Sequence, residues 1–153
     1  MAYRMEGLAP EAFASLFAMM DGELAARGAV RKIADGPGYP CRVTLEDATP
    51  GDELILLNYV SHDVAGPFRT TYAIYVRKDA EPASYADAVP AMLDSRTLGL
   101  RGFDADGMLS GALLAYPGEA DARIRELFQH PEIETIHAHN AAYGCFLARI
   151  ERN

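Results

Sequence analysis

Residues 136–152 hold two of the four histidines, one of the two cysteines and two arginines, spaced as His137-Ala138-His139-Asn140 and Cys145-x-x-x-Arg149. Such side chains bind anions, coordinate metals or perform acid–base and thiol chemistry. Positions two apart on a strand share a face, so His137 and His139 point the same way, opposite to Ile136 and Ala138. If the loop 140–144 closes symmetrically, His139 stands across from Cys145 and His137 from Leu147. A slip of one residue turns Cys145 to the other face.

Three chemistries suit this ribbon, beside a plain hydrated sheet face whose histidines only bond to neighbours. His137, His139 and Cys145 would make three ligands of a metal site with its fourth position open. Cys145 with His139 as base would make a thiol nucleophile. His137, His139, Asn140 and Arg149 would line a pocket for a small polar or anionic ligand. In that pocket Cys41 and Arg42 approach from the Gly36–Pro40 loop, and Arg42, Arg69 and Arg149 form an anion cradle through their planar forks. The pocket is the expected arrangement. No Gly-x-Gly-x-x-Gly, Gly-x-x-x-x-Gly-Lys, Cys-x-x-Cys, His-Glu-x-x-His or Gly-x-Ser-x-Gly stretch is present. No catalytic residue or cofactor is therefore assigned, and whether the chain is an enzyme stays open. A structural homodimer without a small-molecule site is the third class.

The elements that must carry these residues follow from periodicity. Phe13, Leu16, Phe17 and Met20 mark a helix over 9–20. Asp21 opens a short second helix through Ala26, closed by Gly28. Ala29–Ala34 reads as a weak strand. Cys41, Val43 and Leu45 alternate with Arg42, Thr44 and Glu46 as a half-buried strand. Thr49-Pro50-Gly51-Asp52 suits a type II turn. It would pair that strand in a hairpin with the apolar central strand 53–60. Further strands are expected at 71–77, 97–103 and 108–116, the last two joined across Asp104-Ala105-Asp106-Gly107. Residues 81–94 read as a connection with one helical turn, 119–129 as a helix, and 134–140 with 145–151 as the closing hairpin. Tight turns force antiparallel neighbours. The expected fold is α+β: a mostly antiparallel curved sheet or partial barrel, with N-terminal helices and one helix before the C-terminal hairpin.

The chain has 153 residues, a formal charge of −8, 50% hydrophobic and 24% charged residues. That length suits one domain spanning 1–153. The acidity argues against nucleic acid and against an anionic membrane surface as partners. No apolar run approaches the ~20 residues of a membrane span. The N-terminus lacks a signal-peptide pattern, so a cytoplasmic home is expected. Two cysteines exclude a disulfide framework, and each suits a buried thiol.

Two stretches carry a resemblance. One is Gly38-Tyr39-Pro40-Cys41-Arg42-Val43-Thr44-Leu45-Glu46-Asp47-Ala48-x-Pro50-Gly51-Asp52-Glu53 with Leu56-Leu57-Asn58-Tyr59. The other is His137-Ala138-His139-Asn140 with Gly144-Cys145-Phe146-Leu147-Ala148-Arg149. Both resemble the bacterial family catalogued as domain of unknown function 1203, over nearly the whole chain. The resemblance implies a stand-alone bacterial protein and brings no reaction, cofactor or partner with it.

Overall fold

Short turns and alternating apolar residues produce two antiparallel sheets in a computed structural model, which describes residues 2–153. The strands are β1 (Tyr3–Glu6), β2 (Val30–Ile33), β3 (Glu53–His62), β4 (Thr70–Arg77), β5 (Ser84–Ala86), β6 (Leu98–Phe103), β7 (Leu109–Ala115), β8 (Thr135–Asn140) and β9 (Phe146–Arg152). The helices are α1 (Ala14–Phe17), α2 (Asp21–Ala26), α3 (Ala91–Asp94) and α4 (Ala120–Leu127). Six strands run in the order β5-β1-β9-β8-β6-β7, and β2-β3-β4 form the second sheet; neither closes into a barrel. All pairings between these strands are antiparallel. The fold is α+β, as the tight turns require.

Each sheet buries one apolar face under helices. Leu98, Leu100, Ile136, Ala138, Ala148 and Ile150 of the larger sheet pack against Ile124 and Leu127 of α4 and Met92 and Leu93 of α3. Ile55, Ile74 and Val76 of the smaller sheet pack under Phe13 and Leu24 from the N-terminal helices. The other face of β8 and β9 meets β3: the Tyr59 ring lies 6.3 Å from Phe146, and His62 lies 5.1 Å from His137.

Several expectations hold because local chemistry suffices. Gly51 takes φ 96° and Asp52 N–H donates to Thr49 O, as the turn before β3 demands. Gly107 at φ 79° closes the β6–β7 hairpin, and α4 buries Ala120, Ile124 and Leu127. Gly28 at φ 70° ends the stretch after α2.

Others change. The segment 9–20 is not one helix: Pro10–Ala12 forms a 3-10 turn, α1 lasts four residues, and Met20 points outward at 75% exposure. Residues 41–45 are not a strand and do not pair with β3, whose partners are β2 and β4. Leu45 N–H donates to Cys41 O, Cys41 N–H to Glu46 O, and Leu45 adopts φ 53°. This tight loop sends Val43 into one core and Leu45 into the other, mimicking strand alternation without a strand. At the N-terminus, Tyr3 and Met5 alternate with Arg4 and Glu6 and form β1, a strand too short for its alternation to stand out in sequence.

Candidate functional site

The C-terminal hairpin closes at Asn140 and Cys145, where Asn140 N–H donates to Cys145 O at 2.9 Å. Asn140 Oδ1 accepts the N–H groups of Ala142 and Tyr143 at 3.0 Å, and Gly144 takes φ 80°. His139 therefore stands opposite Phe146 and, past a bulge at Leu147, His137 stands opposite Arg149. The symmetric register, with His139 across from Cys145, is not the one adopted. Cys145 lines the same cleft as Asn140. Among the described residues no three His, Cys, Asp or Glu side chains group to hold a metal ion. His137, His139 and Cys145 are thus not a ligand trio, because the turn and the bulge separate them.

The imidazoles face the seam between the sheets. His137 rests edge-on to Phe103 at 5.1 Å and Phe146 at 5.4 Å, and His139 edge-on to Phe146 at 6.0 Å. His62 stacks on Phe103 at 4.0 Å and donates Nε2–H to Gly107 O at 3.0 Å. A carbonyl only accepts, so His139 likewise donates Nδ1–H to Gly144 O at 2.9 Å. His137 Nε2 is buried with no hydrogen-bond partner. Burial, with His62 and Arg149 nearby, pushes His137 down to about 3. Burial also brings His139 down to about 4, against the pull of the Gly144 carbonyl. Burial therefore keeps the His137 and His139 rings neutral near pH 7.

Arg42, Asn140 and Cys145 meet elsewhere, in a cleft of about 400 Å³ between the 38–42 loop, β4 and the hairpin turn. Arg42 is only 2% exposed. Its backbone is fixed by N–H to Tyr75 O at 3.1 Å and by Leu8 N–H to its own carbonyl at 2.9 Å. Its side chain donates from Nε to Phe146 O at 2.7 Å and from Nη1 to Pro40 O at 2.5 Å. Burial draws the guanidinium below its ordinary range, while the adjacent Cys145 and Cys41 sulfurs act the other way. No ion pair among the described residues involves Arg42.

The remaining candidates lie apart. Arg149 pairs with Glu151 at 2.7 Å, and Arg69 with Asp63 at 3.3 Å, so neither shares a cradle with Arg42. Both are about half exposed, where acidic neighbours outcompete any convergence. Arg149 borders a different cavity, of about 380 Å³, whose wall carries Asp63, Asp104 and Glu134. Cys41 is fully buried and its sulfur accepts the Arg77 N–H at 3.3 Å. Sequence reasoning missed Arg96 in the cleft wall, which is neutralised by Asp47 at 2.7 and 3.1 Å. Their separation of 49 positions left no local signal.

A family model described as "Protein of unknown function (DUF1203)" matches residues 38–152. The chain belongs to the DUF1203 family. The DUF1203 match covers the cleft wall from Gly38 to Cys145, together with the imidazole seam. No curated protein and no solved structure matches the chain.

Proposed function

We propose that this DUF1203 protein binds a small anionic ligand in the cleft beside Arg42. One observation carries the reading: a cation held almost wholly out of water, with no carboxylate partner, in the wall of an open cleft. A buried charge without a counter-ion costs several kcal/mol. Two carbonyls offset part of that cost, and an anion entering the cleft supplies the rest. A guanidinium has five N–H donors; the two carbonyls take one each and the Cys145 sulfur another, which leaves two for a ligand. Asn140 spends its oxygen on its own turn, which leaves its amide N–H groups as further donors.

Charge sorting supports the choice of cavity. Four other cavities each have at least one carboxylate in the wall: Glu11 and Asp79, Glu6 and Glu151, Asp63 with Asp104 and Glu134, and Glu46 with Glu81. The Arg42 cleft has none. On a chain of formal charge −8, that is where an anion meets least repulsion.

Cys145 reports occupancy because it lies in the same wall. Alkylation by iodoacetamide, followed by intact mass, should slow saturably with acetate, benzoate or phosphate. Acetamide should have no such effect. If none of these anions protects Cys145 at tens of millimolar, the reading fails.

A further inference from the structure

The cleft's charge balance and walls narrow the ligand class. Two guanidinium groups line it, Arg42 and Arg96. Arg96 is already spent: it grips Asp47 through both terminal nitrogens and donates Nη1 to Met92 O at 2.5 Å. One uncompensated positive charge remains, on Arg42, whose planar fork matches a carboxylate. A dianion such as phosphate would bring a second charge out of water with no cation to meet it.

Apart from Asn140 and Cys145, the rest of the wall is apolar or aromatic. Leu56, Tyr72, Ala73 and Tyr75 come from β3 and β4, Pro40 from the loop, and Tyr143 from the hairpin turn. Tyr72 is 44% and Tyr143 77% exposed, so ring surface is available at the mouth. Flat aromatic faces favour a flat apolar partner. The volume of about 400 Å³ lies within the ~300–1,000 Å³ typical of small organic ligands. A bare inorganic anion would leave most of these walls untouched.

We propose that the ligand is a monocarboxylate with a flat apolar body, its carboxylate on Arg42 and its body between Tyr72, Tyr75 and Tyr143. This rests on the anion-site reading above and sharpens it. The test titrates benzoate, benzamide and inorganic phosphate into the full wild-type chain at constant ionic strength. Amide chemical shifts of the 140–145 turn report binding. Benzoate should bind saturably, at least tenfold tighter than either benzamide or phosphate. Phosphate binding as tightly as benzoate overturns the carboxylate class and leaves the anion site standing. Benzamide equal to benzoate overturns the charge requirement, and silence from all three overturns both proposals. Ala73 is exposed on β4, so Ala73→Glu adds a carboxylate to the wall without disturbing a core. That variant should lose benzoate affinity at least tenfold; unchanged affinity in a folded A73E overturns the placement.

Discussion

Arg42 has a structural task besides charging the cleft, since its bond to Phe146 O ties the 38–42 loop to β9 and its bond to Pro40 O braces the loop itself. Hydrogen bonds from a charged donor contribute about 1.5–3 kcal/mol each. Arg42→Lys keeps the charge but not the fork, and should lower stability by about 2–4 kcal/mol at pH 7. Urea denaturation reads this as a shifted midpoint with an unchanged slope. A midpoint within error of wild type would mean those bonds are not made. The histidines give a second prediction. Their ordinary value is 6.5, and the folded protein holds His137 near about 3 and His139 near about 4. Between these limits the unfolded chain takes up protons that the folded chain refuses. Stability is therefore intact above pH 6.5 and falls as the pH drops, by at most about 1.4 kcal/mol per imidazole per pH unit. His137→Leu removes one such site, and should flatten the acid limb of a plot of stability against pH from 7 to 4. An equally steep limb in that variant would contradict a buried neutral His137. In sequence, His-x-His announced a shared face, and that much was legible. That the face would be a dry seam was not, because it depends on His62, Phe103 and Phe146 arriving from three other strands.

At the scale of elements, the site loop is clamped by the residues that follow β1, where Leu8 N–H donates to Arg42 O. Gly7 N–H donates to Ala83 O, and a Cβ added at Gly7 would lie 1.8 Å from the Val43 carbonyl oxygen. That atom is backbone, so the loop itself must move. Gly7→Ala should cost at least about 2 kcal/mol, as overpacking of a tight contact does, and should weaken benzoate binding by displacing the neighbouring Arg42. Thermal unfolding and the same titration check it; wild-type values in both would refute the clamp. Elements built from consecutive residues were readable: the Pro50-Gly51 turn, the β6–β7 hairpin, α4 and the β8–β9 hairpin each announce themselves within one short unbroken stretch of sequence. Residues 41–45 were not. A loop that drops Val43 and Leu45 into different cores leaves the same apolar spacing as a strand; the local Leu45–Cys41 hydrogen bond and the positive φ at Leu45 separate them.

For the molecule as a whole, two sheets with separate cores meet along an aromatic–imidazole seam, and the cleft opens where the hairpin turn reaches the 38–42 loop and β4. No helix among the described residues is long and apolar enough to cross a membrane. Fold class was legible because turn chemistry is local. Site assembly was legible only in part: Arg42, Asn140 and Cys145 share the cleft wall, while His137 and His139 pack on the seam aromatics and Arg149 pairs with Glu151. The most direct measurement is an anomalous difference map from a crystal of the full chain soaked in 4-bromobenzoate. A bromine peak is expected between Tyr72, Tyr75 and Tyr143, with the carboxylate on the Arg42 guanidinium. A cleft free of bromine at saturating soak, or a carboxylate bound on Arg149 or Arg69 instead, would contradict it.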